Sequence, residues 1–417
     1  MTDKIEVLDA ICGSGKSSHI FNYINDNPHQ RYIYVTPLLS EVHERVPNTI
    51  KTSVFYQPQV VDDNSKIDNL LELLTNGDNI SCTHSLFRKM TKEHLKQVAL
   101  NDYILIIDEE VNLIDSDIGV RLGDIEYAFI KGMMVSDEGN LGAVKWIDTD
   151  FEKVKHKKDT TFLRLKQMCD IGVLFSAKRK QEMLTIHLPI ALVTAAYRVI
   201  ICTYLFEGSI LDGYLALKGI KRVKYEGFEP CNDQVKQSIK ALITVAEHKH
   251  QKEMDKLSLS YSWYTNADKS DKSLIASAVR WCGNQAESAE KFMFTTPKSF
   301  VCNANGTVNV RIKDFPATVK GKSTPNTCWI YSAARATNDF SHKNVLCHAY
   351  NRYPTMPVES YLRDYGFSVD RDTYAIAELV QWVFRSAVRN GQPIVIYFLN
   401  KRMRNLFLKW LNDGDLV

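Results

Sequence analysis

The feature that most constrains the fold is a regular alternation of apolar runs and helical patterns over the first 110 residues. Apolar runs occur at KIEVLDA, RYIYVTP, NISCT and DYILIIDEE, and helical patterns follow at KSSHIFNYIND, LLSEVHERV and HSLFRKM. Strands that alternate with helices predict a parallel sheet with right-handed crossovers. We therefore predict an α/β fold whose functional loops lie at the carboxyl ends of the strands.

The rest of the chain predicts a second domain and one insertion. Residues 116–185 are irregular, and we interpret them as an insertion, after which LPIALVTAAY resumes the strand pattern. A second αβ unit begins near residue 226, with strand candidates at KFMFTTP, CWIYSA, NVLCHAY and PIVIYFL and a helix at YAIAELVQWVFRSAVRN. The predicted domains are residues 1–225 and 226–417, and each is long enough for its own core.

Charge and cysteine content restrict the function classes. The net charge of +3 identifies no partner. Residues 151–180, however, hold nine Lys or Arg against three Asp or Glu, a local charge of +6. Such a cluster fits a nucleic-acid surface or an ordinary solvated face equally well. The nine cysteines form no CxxC pair, which favours a reducing cytoplasm over a zinc or disulfide framework, and no apolar run predicts a membrane span.

A phosphate-binding loop is predicted between the first strand and the first helix. Four residues separate Ala10 from Gly15-Lys16-Ser17, which is the P-loop spacing with alanine in place of the first glycine. Glycines let the backbone amides turn toward a phosphate, and the helix N-terminus favours negative charge. Lys16 would reach the β- and γ-phosphates and Ser17 would hold Mg²⁺. The residues expected to contact the nucleotide are Gly13, Ser14, Gly15, Lys16, Ser17 and Ser18.

An acidic strand end supplies the partner that a P-loop needs. In ILIIDEEV, four apolar residues precede Asp108 and Glu109. Asp108 is placed to ligate Mg²⁺, directly or through water, and Glu109 to act as general base on the attacking water. Either acid alone could simply end a strand in a solvated turn. Together with the loop upstream, they indicate an NTPase that uses ATP and Mg²⁺.

Four segments of the first half resemble a known family. They are DEEV (Asp108 to Val111), VTPLLSEV (Val35 to Val42), CTHSLF (Cys82 to Phe87) and LVTAA (Leu192 to Ala196). In their order and spacing along the chain, these segments resemble the superfamily 2 helicases of the DExD/H type, especially the compact forms encoded by bacteriophages. The resemblance implies two RecA-like domains in tandem, with nucleic-acid contacts at Thr36, Pro37, Thr83 and His84 and a coupling role for Thr194. Taken singly, Thr36-Pro37 could end a strand, Thr83-His84 could cap a helix, and Thr194 could be a satisfied core hydroxyl.

The second half adds a polar stripe on an apolar helix. Gln381, Arg385 and Arg389 lie four residues apart. The family's corresponding helix carries Q…R…R and inserts arginine fingers into the cleft between its two domains. This sequence lacks the glycines of the family's pattern and places Arg389 one position late, so Arg385 is favoured as the finger. SAARATNDF and TTPKSF resemble two further segments of the family, and from them we predict nucleic-acid contacts at Thr296, Arg335, Thr337 and Asn338.

The resemblance implies an ATP-dependent translocase or helicase that grips the sugar-phosphate backbone. Its track would be single-stranded or branched DNA, with RNA not excluded, and its partners would be replication or recombination proteins. Three alternatives remain open at this point: a viral DNA-packaging motor, a small-molecule kinase with a P-loop, and a binding module without turnover. Only nine residues precede Ala10, so we expect no adenine-reading segment upstream of the loop and leave the base preference open.

Overall fold

The structure, a computed structural model, describes residues 2–61, 64–149, 160–301, 318–319, 322–323, 326–332 and 339–413. The chain forms two compact units. The first comprises Met1–Asp9, Ser17–Phe228 and Pro354–Asp370, and the second comprises Ala10–Lys16, Glu229–Tyr353 and Arg371–Val417. The units therefore exchange two short segments, and the predicted boundary between residues 225 and 226 stays a prediction.

The strands are short, and most of them coincide with apolar runs of the sequence. In chain order the described strands are β1 (Lys4–Asp9), β2 (Tyr32–Thr36), β3 (Phe55–Tyr56), β4 (Asn79–Thr83), β5 (Ile104–Asp108), β6 (Ile114–Asp115), β7 (Met134–Asp137), β8 (Ala143–Trp146), β9 (Leu174–Ser176), β10 (Leu184–His187), β11 (Arg198–Thr203), β12 (Lys221–Lys224), β13 (Ile243–Ala246), β14 (Phe292–Thr295), β15 (Thr318–Val319), β16 (Lys322–Ser323), β17 (Val345–His348) and β18 (Ile394–Phe398).

The helices connect and flank these strands. In chain order the described α-helices are α1 (Lys16–Asp26), α2 (Val46–Thr49), α3 (Lys66–Asn76), α4 (His84–Phe87), α5 (Lys92–Leu100), α6 (Leu122–Ile130), α7 (Thr160–Asp170), α8 (Ile210–Leu217), α9 (Asn232–Lys240), α10 (Gln251–Met254), α11 (Tyr261–Asn266), α12 (Lys269–Gly283), α13 (Lys298–Val301), α14 (Met356–Asp364), α15 (Arg371–Val383) and α16 (Lys401–Asp413). In the described part of the chain, no helix is long and apolar enough to cross a membrane.

The first unit is built on a parallel sheet with the strand order β12-β1-β11-β5-β2-β4-β3. All five residues of β2 and of β5 are buried, as expected for strands covered on both faces. Parallel strands end at one edge of their sheet, so β1, β2, β4 and β5 bring their following loops to the same side. These loops are the glycine loop, the segments at Thr36 and Thr83, and the acidic pair after β5.

The insertion has an ordered core of its own rather than the irregular structure suggested by its sequence. Strands β6 to β10 form an antiparallel sheet with the strand order β6-β10-β9-β8-β7. Helices α6 and α7 contribute Ile125 and Leu165 to a core that also contains Leu174 and Leu184. Its strands are only two to four residues long. Runs this short show too little alternation to be recognised, which explains why this sheet was not predicted.

The second unit contains a smaller parallel sheet with the order β13-β18-β17-β14. Helix α12 packs on it through Ile275, Val279 and Cys282, which join Phe292 and Phe294 in one apolar core. The two sheets confirm the predicted fold class, which was an α/β chain with two parallel-sheet domains and an insertion in the first.

Three predictions of local structure were wrong. LPIALVTAAY does not form a strand: Ile190–Val193 is a 3₁₀ turn after Pro189, and the strand that follows is Arg198–Thr203. CWIYSA contributes only an isolated bridge, between Phe294 and Trp329. The helix predicted to continue to Asn390 ends at Val383.

Candidate nucleotide-binding site

The loop between β1 and α1 has the backbone geometry of a phosphate cradle. Gly13 and Gly15 adopt φ of 83° and 90°, the left-handed region that only glycine enters without strain. A Cβ added at Gly15 would meet no atom within 4 Å, so its backbone faces open space. The Ser14 hydroxyl is buried and has no hydrogen-bond partner. These features fit a loop that receives its remaining hydrogen bonds from a bound phosphate.

Lys16 is the cation of this loop. Its Nζ donates to the backbone carbonyl of Ala10 and to that of Ile11 at 3.2 Å. Both acceptors are neutral carbonyls of the loop itself. A phosphate is a stronger acceptor for an ammonium group than a carbonyl, because the bond is then assisted by charge on both partners.

Ser17 and Asp108 meet at the end of β5, as the P-loop interpretation requires. The Ser17 hydroxyl donates to Asp108 Oδ2 at 3.1 Å, and the buried Tyr34 hydroxyl donates to the same oxygen at 2.7 Å. Burial, and secondarily the neighbouring carboxylate, raises the pKa of Tyr34 well above its usual value, so the phenol stays a donor. A hydroxyl beside a carboxylate is a donor set that suits Mg²⁺.

Glu109 follows Asp108 in a strained backbone conformation. Its φ is 62°, in the left-handed region, and its N–H donates to the carbonyl of Cys202 at 2.8 Å. Non-glycine residues in this region cluster at functional sites, because the surrounding structure must hold them there. Glu110 differs: its carboxylate accepts from the Thr203 hydroxyl at 3.3 Å.

The glycine loop groups with the second unit and lies beside the residue that follows α15. A Cβ added at Gly13 would lie 3.6 Å from Cε1 of Phe384. The Ile11 N–H donates to Asn232 Oδ1 at 2.9 Å. Phe384 immediately precedes Arg385, which is 3% exposed. The chain segment that carries Arg385 therefore reaches the loop, although the helix predicted to present it is shorter than expected.

The structure corrects the prediction that Gln381, Arg385 and Arg389 form one polar stripe on a helix. The helix ends because Ser386 adopts an extended backbone and its hydroxyl donates to the carbonyl of Val383 at 2.7 Å. Only Gln381 is helical; Arg385 lies in the turn, and Arg389 is exposed in the 3₁₀ turn Ala387–Asn390. The three side chains consequently do not form one helical face.

The predicted nucleic-acid contacts Thr36 and Thr296, and the predicted coupling residue Thr194, use their hydroxyls inside the fold. Thr36 is buried and donates to Glu41, Thr194 donates to the carbonyl of Ile190 at 3.2 Å, and Thr296 accepts from Trp329 Nε1 at 3.1 Å. These threonines therefore behave as satisfied hydroxyls.

Of the remaining predicted contacts, Thr83 and His84 also bond inside the fold, and three others lie outside the described residues. Thr83 caps α4 by accepting from the N–H of Leu86, and His84 Nε2 lies 2.9 Å from the carbonyl oxygen of Asp108. Pro37 is half-buried. Arg335, Thr337 and Asn338 lie outside the described residues.

The basic cluster of the insertion is only partly described. Lys166 pairs with Asp170 at 2.7 Å, Arg179 with Asp364 at 3.4 Å, and Lys178 lies 4.5 Å from the ring centre of Tyr365. Lys153, Lys155, Lys157 and Lys158 fall outside the described residues. These three cations thus have partners within the first unit.

Tyr34 and Asn232 were missed by the sequence interpretation. Tyr34 had a usable signal, because a hydroxyl in a fully buried strand requires a hydrogen-bond partner nearby. Asn232 had none, since its contact with Ile11 joins residues more than 200 positions apart.

Comparison with solved structures finds a similar fold over nearly the whole chain. An apo XPD structure aligns with a TM-score of 0.54 and 14% identity, covering 98% of this chain and 95% of the other. An XPD helicase structure aligns with the same score and 11% identity, covering 98% and 94%. The chain has the fold of the XPD helicases. This finding confirms, at the level of fold, the resemblance to DExD/H-type helicases.

Two sequence comparisons show similarity to a prophage-derived protein and to the model of its C-terminal domain. Residues 237–411 match the model of the YonV C-terminal Rossmann-like domain. The SPbeta prophage-derived uncharacterized protein YonV of Bacillus subtilis (strain 168) is 27% identical over 431 residues, covering 99% of both chains. The relative is thus similar over its full length, and its prophage source agrees with the resemblance to phage-encoded forms.

Proposed function

We propose that this protein is an ATP-dependent nucleic-acid translocase or helicase. The observation that carries the proposal is the contact of Ser17 with Asp108, which joins the end of the glycine loop to the acidic end of β5. An XPD-like fold supports the same class of activity. The similarity to a prophage-derived protein favours action on DNA in phage replication, recombination or repair.

In the proposed reaction, the glycine loop binds the β-phosphate through its backbone amides, and Lys16 moves from the carbonyls of Ala10 and Ile11 to the phosphates. Ser17 and Asp108 would hold Mg²⁺, which supplies charge neutralisation on the β- and γ-phosphates. Glu109 accepts a proton from the attacking water. Arg385 is the proposed arginine finger.

For the track, we propose sequence-independent contact with the sugar-phosphate backbone. Because the hydroxyls of Thr36 and Thr296 are occupied inside the fold, we assign the contact at these two segments to main-chain N–H groups, which donate readily to phosphate oxygens. We also propose that Lys155, Lys157 and Lys158 help to hold or split a duplex. Affinity for single strands should fall steeply as salt rises.

The proposed setting is the host cytoplasm, with replication or recombination proteins as partners. The eight cysteines that the structure describes form no disulfide, which suits a reducing compartment.

The test is ATP hydrolysis by the purified protein, alone and with single-stranded DNA, duplex DNA or RNA. We expect one polymer to stimulate turnover strongly. Glu109→Gln should lower turnover by roughly a hundredfold or more while ATP binding persists, because a positioned base contributes about 10²–10⁴-fold. Glu110→Gln is the matched control and should leave turnover nearly unchanged. The Glu110 carboxylate contacts Thr203, which has no part in the proposed chemistry. Hydrolysis indifferent to every polymer would contradict the translocase proposal.

A further inference from the structure

An aromatic group lies one helical turn beyond the glycine loop. The His19 ring on α1 is 5.1 Å from the ring of Phe228 and 5.7 Å from that of Tyr225, measured between ring centres. Tyr225 is buried, whereas His19 and Phe228 are half-buried. These two residues are therefore partly exposed, and both belong to the first unit.

This group is held in place by a layer of polar contacts behind it. The Tyr225 hydroxyl lies 3.3 Å from His19 Nε2, and the guanidinium of Arg198 lies 5.7 Å from the centre of the Tyr225 ring. Arg198 is itself fixed by Glu6 through two bonds of 2.8 and 2.7 Å. Burial raises the pKa of Tyr225, so its phenol stays protonated. The rings are thus positioned by the protein alone, which reduces the entropy lost when a ligand stacks on them.

The position of His19 matches the reach of a nucleotide. Lys16 and His19 are three residues apart on α1, which corresponds to about 4.5 Å along the helix axis and nearly the same face. In a nucleoside triphosphate, the α-phosphate and ribose separate the base from the β-phosphate. A β-phosphate in the loop therefore leaves the base free to reach the next turn of α1.

We infer that His19 and Phe228 form the stacking site for the base of the nucleoside triphosphate bound at the glycine loop. This inference rests on the proposed nucleotide-binding function and goes further by locating its base subsite. Ring faces contact every base, so stacking discriminates weakly among bases. The site should accept ATP and GTP with similar affinity and bind pyrimidine nucleotides less well, because their bases offer a smaller face.

The experiment separates the base from the phosphates. A ribose-labelled fluorescent ATP analogue is displaced from the protein, in the presence of Mg²⁺, by ATP, GTP, UTP or inorganic tripolyphosphate. Phe228→Ala and His19→Ala should weaken ATP binding by roughly tenfold or more, as stacking losses do, and leave tripolyphosphate binding unchanged. Phe228→Tyr should restore ATP affinity. Phe228→Leu keeps apolar volume but has no aromatic face, so it should also weaken ATP binding by roughly tenfold or more and leave tripolyphosphate binding unchanged. This variant provides the test if the alanine variant fails to fold.

Tyr197→Ala removes a tyrosine of the same unit that is 71% exposed, and it serves as the matched control with unchanged affinity expected. Equal weakening of ATP and tripolyphosphate binding would show that the rings only support the fold and would overturn the inference. Unchanged ATP affinity together with weaker binding of single-stranded DNA would assign the rings to the track instead, and overturn it as well. If the unaltered protein binds neither ATP nor tripolyphosphate, the proposed nucleotide site itself is wrong.

Discussion

At the scale of single residues, Glu109 shows how the proposed chemistry conflicts with stability. Its φ of 62° costs a non-glycine residue about 1–2 kcal/mol. Glycine enters this region freely, so we expect Glu109→Gly to raise the free energy of unfolding by about 1 kcal/mol while abolishing ATP hydrolysis. Urea unfolding of the variant and the unaltered protein, together with turnover assays, measures both effects.

Glu110→Gly is the control for this stability effect. Glu110 is also glutamate and half-buried, but its φ is not in the left-handed region. Glycine there should lower stability by about 1 kcal/mol or more, because it adds freedom to the unfolded chain and removes the acceptor of the Thr203 hydroxyl. If Glu109→Gly proved as destabilising as Glu110→Gly, the strain at Glu109 would not be an energetic feature of the native protein.

At the scale of elements, the end of α15 decides which arginine can serve catalysis. Arg385 lies in the turn directly after Phe384, which reaches the glycine loop, whereas Arg389 is exposed in the following 3₁₀ turn. We expect Arg385→Lys to lower ATP turnover by about a thousandfold, the effect typical of a lost arginine finger. Arg389→Lys should change turnover less than about threefold. Single-turnover hydrolysis at saturating ATP measures both.

These two variants control for each other, because both replace arginine with lysine four residues apart. Circular dichroism spectra check that the overall helix content of both variants is unchanged. A large loss of turnover in the Arg389 variant, with the Arg385 variant nearly active, would reverse the proposed assignment.

The elements that sequence could predict are those whose pattern is local. Strands β2 and β5 are continuous buried apolar runs between turns, so their positions followed directly. The turn at Ile190–Val193 is equally apolar, and an apolar run alone does not distinguish a strand from a 3₁₀ turn. At the end of α15, both the N–H and the hydroxyl of Ser386 donate to the carbonyl of Val383, a local arrangement that helical periodicity does not report. The pairing of Ser17 with Asp108 was predictable because the P-loop mechanism demands it.

At the scale of the whole molecule, sequence predicted two parallel-sheet domains and an insertion, but not the exchange of segments between them. Ala10–Lys16 groups with the second unit, and Pro354–Asp370 with the first. Helix α14, for example, packs on α8 and β10 of the first unit through contacts that span more than 100 residues. Periodicity describes which face of an element is apolar, and it contains no information about which distant element covers that face.

Both units also contain a buried neutral histidine, which predicts a shared sensitivity to acid. His187 in the first unit stacks 4.0 Å from Phe175, and burial and then Lys218 lower its pKa to about 2. His348 in the second unit lies beside Trp382, and burial and then Arg352 lower its pKa to about 3. In the unfolded chain each histidine has a pKa near 6.5, so as pH falls the unfolded state binds the proton before the folded state does. The stability contributed by the neutral rings is therefore present above about pH 6.5 and is lost as pH falls toward the folded values.

Each histidine should reduce the opening free energy of its own unit by about 2 kcal/mol between pH 7 and pH 5, because only the unfolded state binds the proton in that range. Hydrogen exchange of β10 and β17, corrected for the intrinsic effect of pH on exchange, follows the two units separately. His348→Phe should remove the acid loss attributed to that ring in β17 and leave β10 unchanged. Both ring nitrogens of His348 are buried without a hydrogen-bond partner, so the substitution by phenylalanine removes no side-chain hydrogen bond. A β17 strand that loses protection equally in the variant and the unaltered protein would show that other groups cause the acid sensitivity of the second unit.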